Sequence, residues 1–306
     1  MIHSSQLQMQ MQMQDTLDRL AAMRRQEEGG YATRDCFHQQ AEIAMASRCA
    51  LHIDIDIDCR DKMCEWCYQI VKFCKFSRET VEIAMSYLDR FMLTPAGTAA
   101  LADRNIYQLA SMTCLYTAVK IHERQALHPQ IVSQLSRGTY TEEQIEQMEI
   151  AILTALEWRM NPPTALSFVR EYLRLIPNDS LSQQVRKAVM EITNFQIELA
   201  VSDYKFISTP ASTIAYCSFM NALDSIGVVN KDTTNCIGLV LAQSIGLDSL
   251  TDQVLDAMSW LDAAVVSQKA CFHTLAAPAE PVQKHIPSRR ASFEESPRTV
   301  SSTCLV

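Results

Sequence analysis

Glycine is scarce in this chain. There are 7 in 306 residues, where average usage would give about three times as many. They are Gly29, Gly30, Gly97, Gly138, Gly227, Gly238 and Gly246, and no two stand in GxGxxG or GxxxxGK spacing. That excludes the dinucleotide-binding fingerprint and the P-loop. Asn-Gly and Asp-Gly pairs are missing as well, which weighs against hairpins and an all-β fold. No apolar run approaches the roughly 18 residues that a membrane helix needs. The opening stretch MIHSSQLQMQMQMQ has neither a charged n-region nor an apolar h-region, so it does not read as a secretory signal.

Positive charge is also short. Lys and Arg number 27 against 35 Asp and Glu, a net charge of −8. Residues 1–35 carry four basic and five acidic side chains, and residues 277–306 four basic and three acidic, so the body holds the deficit. An acidic body repels phosphate backbones and disfavours direct nucleic-acid binding. The eleven cysteines are an odd number, and several occupy apolar faces of helical patterns. They read as reduced, buried thiols of a nuclear or cytosolic protein.

What is present is helix after helix. Residues 1–35, rich in Gln and Met, read as a disordered or partly helical leader. A first helix is predicted from about Asp58 to Cys74, with Asp58 as its cap. A second runs from about Arg78 to Met92, with Ser77 as its N-cap. A third runs from Asp103 to His122 and a short fourth from Pro129 to Ser136. The fifth opens on the capping box Thr141 to Gln144 and ends near Trp158, because Asn161-Pro162-Pro163 cannot continue it. Five more helices follow, near 165–176, 181–201, 210–223, 231–245 and 251–268. Two blocks of five helices thus flank a Pro-Pro hinge. A Ser/Pro/Arg-rich tail over 271–306 reads as disordered.

Few residues argue for chemistry. Asp54, Asp56 and Asp58 with Glu65 imitate an EF-hand loop, but Cys59 stands where the sharp turn needs glycine. Cys64-Glu65-Trp66-Cys67 is a CxxC without the strand of a redox motif or the second pair of a zinc site. No nucleophile, base or carboxylate dyad has a recognisable context. Neither a cofactor nor a metal is expected, and the chain does not read as an enzyme.

Four motifs in order carry a family resemblance. Arg60-Asp61-Lys62-Met63-Cys64-Glu65-Trp66 is similar to the first-helix motif MRAILVDW of the cyclin box. Tyr87-Leu88-Asp89-Arg90-Phe91 matches its YLDRFL. Tyr116 to Glu123 resembles the third-helix ending ASKYEE. Gln147-Met148-Glu149 followed by Leu156-Glu157-Trp158 resembles the fifth-helix signature, with Pro163-Thr164 after it. Asp203-Tyr204-Lys205-Phe206 before Pro210 resembles the turn of the second box. The resemblance implies an all-α fold of two tandem five-helix cyclin boxes with disordered termini. The boxes are expected at 36–161, with a preceding helix, and at 162–270.

The resemblance also implies roles. The chain would bind and activate a cyclin-dependent kinase as its regulatory subunit, in the nucleus and cytoplasm, with no direct nucleic-acid or membrane partner. Lys120 and Glu149 fall on the kinase-binding pair, with Ile121, Glu123 and Leu153 beside them. Arg60 and Asp89 fall on an internal salt bridge, and Trp66 and Leu109 on packing positions. The family's substrate-docking patch becomes Cys59, Lys62, Met63 and Trp66. A lysine in an apolar groove leaves only a weakened patch for substrates or inhibitors. Ser292, in Arg289-Arg290-Ala291-Ser292, and Ser296, before Pro297, resemble phosphorylation sites. The rival reading is a cyclin-fold transcription adaptor resembling general factor IIB, which would need a basic body and a zinc ribbon.

Overall fold

A computed structural model describes residues 2–36, 38, 55–177, 179–227 and 229–275, and no strand occurs among them. The leader takes the helical form of its expectation, but its docking on the second domain was not foreseen. Residues Ile2–Glu28 form one helix, α1. Its stretch over residues 7–15 is exposed, whereas Leu20 is fully buried in the second domain's core and Leu17 and Met23 pack there. Arg19 donates to Glu171 at 3.0 Å, and Glu27 accepts the Ser212 backbone N–H at 3.0 Å. The Met-Gln repeat has no apolar stripe, so periodicity alone could not reveal where this helix docks.

The first block contains α2 (Ile57–Cys74), α3 (Glu79–Met92), α4 (Thr98–Ala102), α5 (Arg104–His122), α6 (Pro129–Leu135) and α7 (Glu142–Ala155). Short α4 was not expected from the sequence. Asp56 caps α2 by accepting the Cys59 N–H at 2.9 Å, in place of the expected Asp58. Ser77 does not cap α3: Arg78 holds that position without a side-chain bond. Asp103 caps α5, and Thr141 and Gln144 form the expected reciprocal box at α7. Helix α7 stops at Ala155, three residues early, because Glu157 and Trp158 take positive φ of 53° and 59°.

The second block contains α8 (Ala165–Leu175), α9 (Gln183–Ser202), a 3-10 turn at Tyr204–Phe206, α10 (Ala211–Ile226), α11 (Lys231–Ser244) and α12 (Asp252–Leu275). Pro210 is the cap of α10 rather than its first residue. The C-terminal helix continues through residues 271–275, which the sequence reading assigned to the tail. The rest of that tail, with Ser292 and Ser296, lies outside the described residues.

Each block is built around its third long helix. Ser111 through Val119 of α5 are all buried, as are Ser212 through Leu223 of α10. Neither stretch carries a formal charge. A helix that is apolar or small on every side must be wrapped by others. Helix α5 packs on α2, α3, α4, α6 and α7, and α10 on α8, α9, α11 and α12. Two cores result, with Val201 packed against both and polar contacts between them. Glu82 of α3 accepts the Ala165 N–H at 2.5 Å, and Thr164 donates to Glu79 at 2.6 Å, so the first block caps the first helix of the second.

Candidate functional site

The α5–α7 contact brings Lys120 and Glu149 together. Lys120 Nζ lies 3.1 and 3.0 Å from the two carboxylate oxygens of Glu149. The two ends differ in exposure. The Glu149 side chain is 10% exposed and that of Lys120 50%. Thr117 Oγ1 donates to the same carboxylate at 3.4 Å. The ammonium stands 5.5 Å from the Tyr116 ring centroid. Its bond to Glu149 raises the lysine pKa further, so the ammonium stays charged.

The chain neighbours of the pair include exposed apolar residues, with Glu146 also exposed on α7. Ile121 is 46% exposed and Ile150 64%, with Leu153 half-buried. Beneath them Ile145 and Ile152 are fully buried. Ile150 was not singled out from the sequence, because one apolar residue beside a glutamate carries no periodic signal. Glu123, grouped with this site by resemblance, has work inside the fold. Its carboxylate accepts the Ser77 N–H at 2.7 Å and the Thr80 hydroxyl at 2.5 Å, closing the start of α3.

Arg60 and Asp89 meet side-on: Nε reaches Oδ1 at 2.9 Å and Nη2 reaches Oδ2 at 2.8 Å. Their side chains are 5% and 9% exposed. Nη1 continues to the Val201 carbonyl of α9 at 3.2 Å. Burial opposes the guanidinium charge, but Asp89 outweighs it and holds the pKa above its usual value. Trp66 and Leu109, expected to pack, are half-buried against the first core.

The four docking-patch positions separate. Cys59 and Met63 are 6% and 3% exposed and belong to the core, while Lys62 and Trp66 are half-buried. The CxxC is equally inward. Cys64 and Cys67 are almost fully buried, and burial pushes the Cys64 thiol up to about 11 and Cys67 well above its usual range. No group of three His, Cys, Asp or Glu suited to a metal occurs among the described residues. Of the EF-hand-like set, Asp56 is a helix cap and Asp54 lies outside the described residues. No described helix is long and apolar enough to cross a membrane.

Comparison with known proteins agrees with this architecture. The cyclin N-terminal domain model matches residues 18–161 and the cyclin C-terminal domain model residues 163–278. G1/S-specific cyclin-D1 of Mus musculus is 28% identical over 165 residues, which cover 53% of this chain and 52% of the relative. Cyclin-A3-2 of Oryza sativa subsp. japonica is 26% identical over 176 residues, 56% of this chain and 44% of the relative. The chain therefore spans about half the length of the relatives it matches. A viral cyclin from herpesvirus saimiri shares the fold, with a TM-score of 0.51 at 15% identity, covering 68% of this chain and 87% of that one. With both boxes matched in order across the Pro162-Pro163 hinge, the chain belongs to the cyclin family.

Proposed function

We propose that this chain binds and activates a cyclin-dependent protein kinase, acting in the cell cycle as a regulatory subunit that contributes no catalytic group. The observation that carries the proposal is the half-exposed Lys120 ammonium seated on the buried Glu149 carboxylate, with Ile121 and Ile150 exposed beside it. Lys120 has three donors and Glu149 about four acceptor sites, so their mutual bonds leave capacity for a partner's backbone. Docking would exclude water through the isoleucines and strengthen each polar bond. A kinase is active only when its strand lysine pairs with the glutamate of its αC helix. A subunit that binds that arrangement better shifts the population toward it. The family's cell-cycle members among the relatives support the reading, and the net charge of −8 disfavours a DNA-binding adaptor. Such a role places the chain in the nucleus and cytoplasm.

The test is a titration of the purified chain against a set of cyclin-dependent kinases, with phosphorylation of a peptide substrate read in parallel. Binding and activation of one kinase, lost in folded Lys120→Ala and Glu149→Ala, is the expected result. If no kinase binds, the function fails. If a kinase binds both variants as tightly as the parent, the site fails.

A further inference from the structure

The face that carries Lys120 and Glu149 has an uneven rim. Glu142, Glu146 and Ile150 are all exposed and follow one another at four-residue spacing, so they form one row along α7. Across from them on α5, Ile121 is exposed as well. The apolar end of the row points to the C-terminus of α7 and the charged end to its N-terminus.

The charge at that end is of one sign. Glu142 and Glu143 stand in the first turn of α7, where the positive end of the helix dipole accounts for them. Glu146 lies a turn further on, where that effect has faded. Its charge acts on Tyr116, whose ring centroid is 5.5 Å from the Lys120 ammonium, so Glu146 borders the same site. Glu146 has Glu142 four residues before it, Glu143 three before it and Glu149 three after it. Like charges at such spacings repel and weaken a helix. Lys120 is engaged by Glu149, and no cation among the described residues pairs with Glu142, Glu143 or Glu146. The free chain thus carries an uncompensated carboxylate beside exposed isoleucines, and a cation brought by a partner would relieve the repulsion.

We propose that Glu146 is a specificity-determining residue of this docking face, selecting a kinase that presents a lysine or arginine side chain opposite the N-terminal half of α7. The inference rests on the kinase-binding reading above and adds the chemistry of the partner's surface. A second copy of this chain does not fit the face, because the chain is itself acidic, with a net charge of −8. Opposite charges across a rim speed encounter, suppress wrong partners and lose their effect as salt rises.

The test uses the full chain and the kinase that binds it, with association rate and affinity measured at low and at high ionic strength. Glu146→Gln should slow association and weaken low-salt affinity about tenfold. Its salt dependence should be flatter than the parent's, and its melting temperature should equal or exceed the parent's. Glu146→Lys should weaken binding further. Glu191→Gln, exposed on α9 of the second box, should leave binding unchanged. Affinity and salt dependence unchanged in both Glu146 variants, with binding still lost in Lys120→Ala, would overturn the inference and leave the kinase-binding reading standing. Weakened binding together with a lowered melting temperature would give Glu146 a role in the fold and overturn it as well. If no kinase binds the parent chain, both readings fall.

Discussion

Arg60 grips both oxygens of Asp89 and, with its remaining nitrogen, the Val201 carbonyl of the second box. One side chain thereby closes the α2–α3 contact and ties the two domains. Replacing Arg60 with Ala leaves a buried carboxylate unpaired, which costs about 3–5 kcal/mol. Urea denaturation of Arg60→Ala should show a loss of that size, with any loss of partner binding following from it. A stability equal to the parent's would mean the pair is dispensable.

The Lys120–Glu149 pair should behave in the opposite way. Lys120 is half-exposed, so its removal should cost the free chain under about 1 kcal/mol. Once a partner has covered the pair, losing either member should cost about 2–5 kcal/mol of binding. Comparing melting temperature with kinase affinity for Lys120→Ala separates the two effects.

Glu82 makes stability depend on pH. Its Oε2 is buried without a partner, and burial, with Glu79 nearby, pushes its pKa up to about 8. The folded chain holds this proton up to that pH, whereas an unfolded glutamate releases it near pH 4.3. Between the two values the folded state binds more protons, so the Glu82 contribution to stability falls as pH rises and levels off above about 8. Glu82→Gln should therefore gain on the parent progressively from pH 5 to 8, by on the order of 1–3 kcal/mol. A gap between the two proteins that stays constant with pH would refute this.

Thiol reactivity should follow burial rather than the CxxC spelling. Cys64, Cys67 and Cys114 are buried with raised pKa values, whereas Cys236 is exposed. Iodoacetamide at neutral pH, followed by peptide mass mapping, should label Cys236 well before the buried three. Early labelling of Cys64 or Cys67 would revive a redox reading.

The docking of α1 should be measurable. Leu20 is fully buried in the second core, and Leu20→Ala should cost about 2–5 kcal/mol. Leu7→Ala, on the exposed part of the same helix at 60% exposure, should change the melting temperature little.

Sequence alone determined what depends on short-range rules. The capping box at Thr141 and the Asp103 cap are local chemistry, and both stand where the letters place them. Tyr87 through Phe91 are buried on every side, as a helix at the centre of a packed layer must be. The pairings of Arg60 with Asp89 and of Lys120 with Glu149 were legible only through resemblance, since charge patterning cannot say which residues on different helices meet.

Tertiary structure decided the rest. It chose Asp56 over Asp58 as a cap and turned Glu123 inward to Ser77 and Thr80. It seated Leu20 in a domain about 150 residues further along and set Glu79 and Glu82 at the start of α8. It also left Arg90 buried without a counter-charge, one residue from an arginine-paired aspartate. Each outcome depends on how helices far apart in the chain pack, and burial and unpaired charge arise only when that packing removes water.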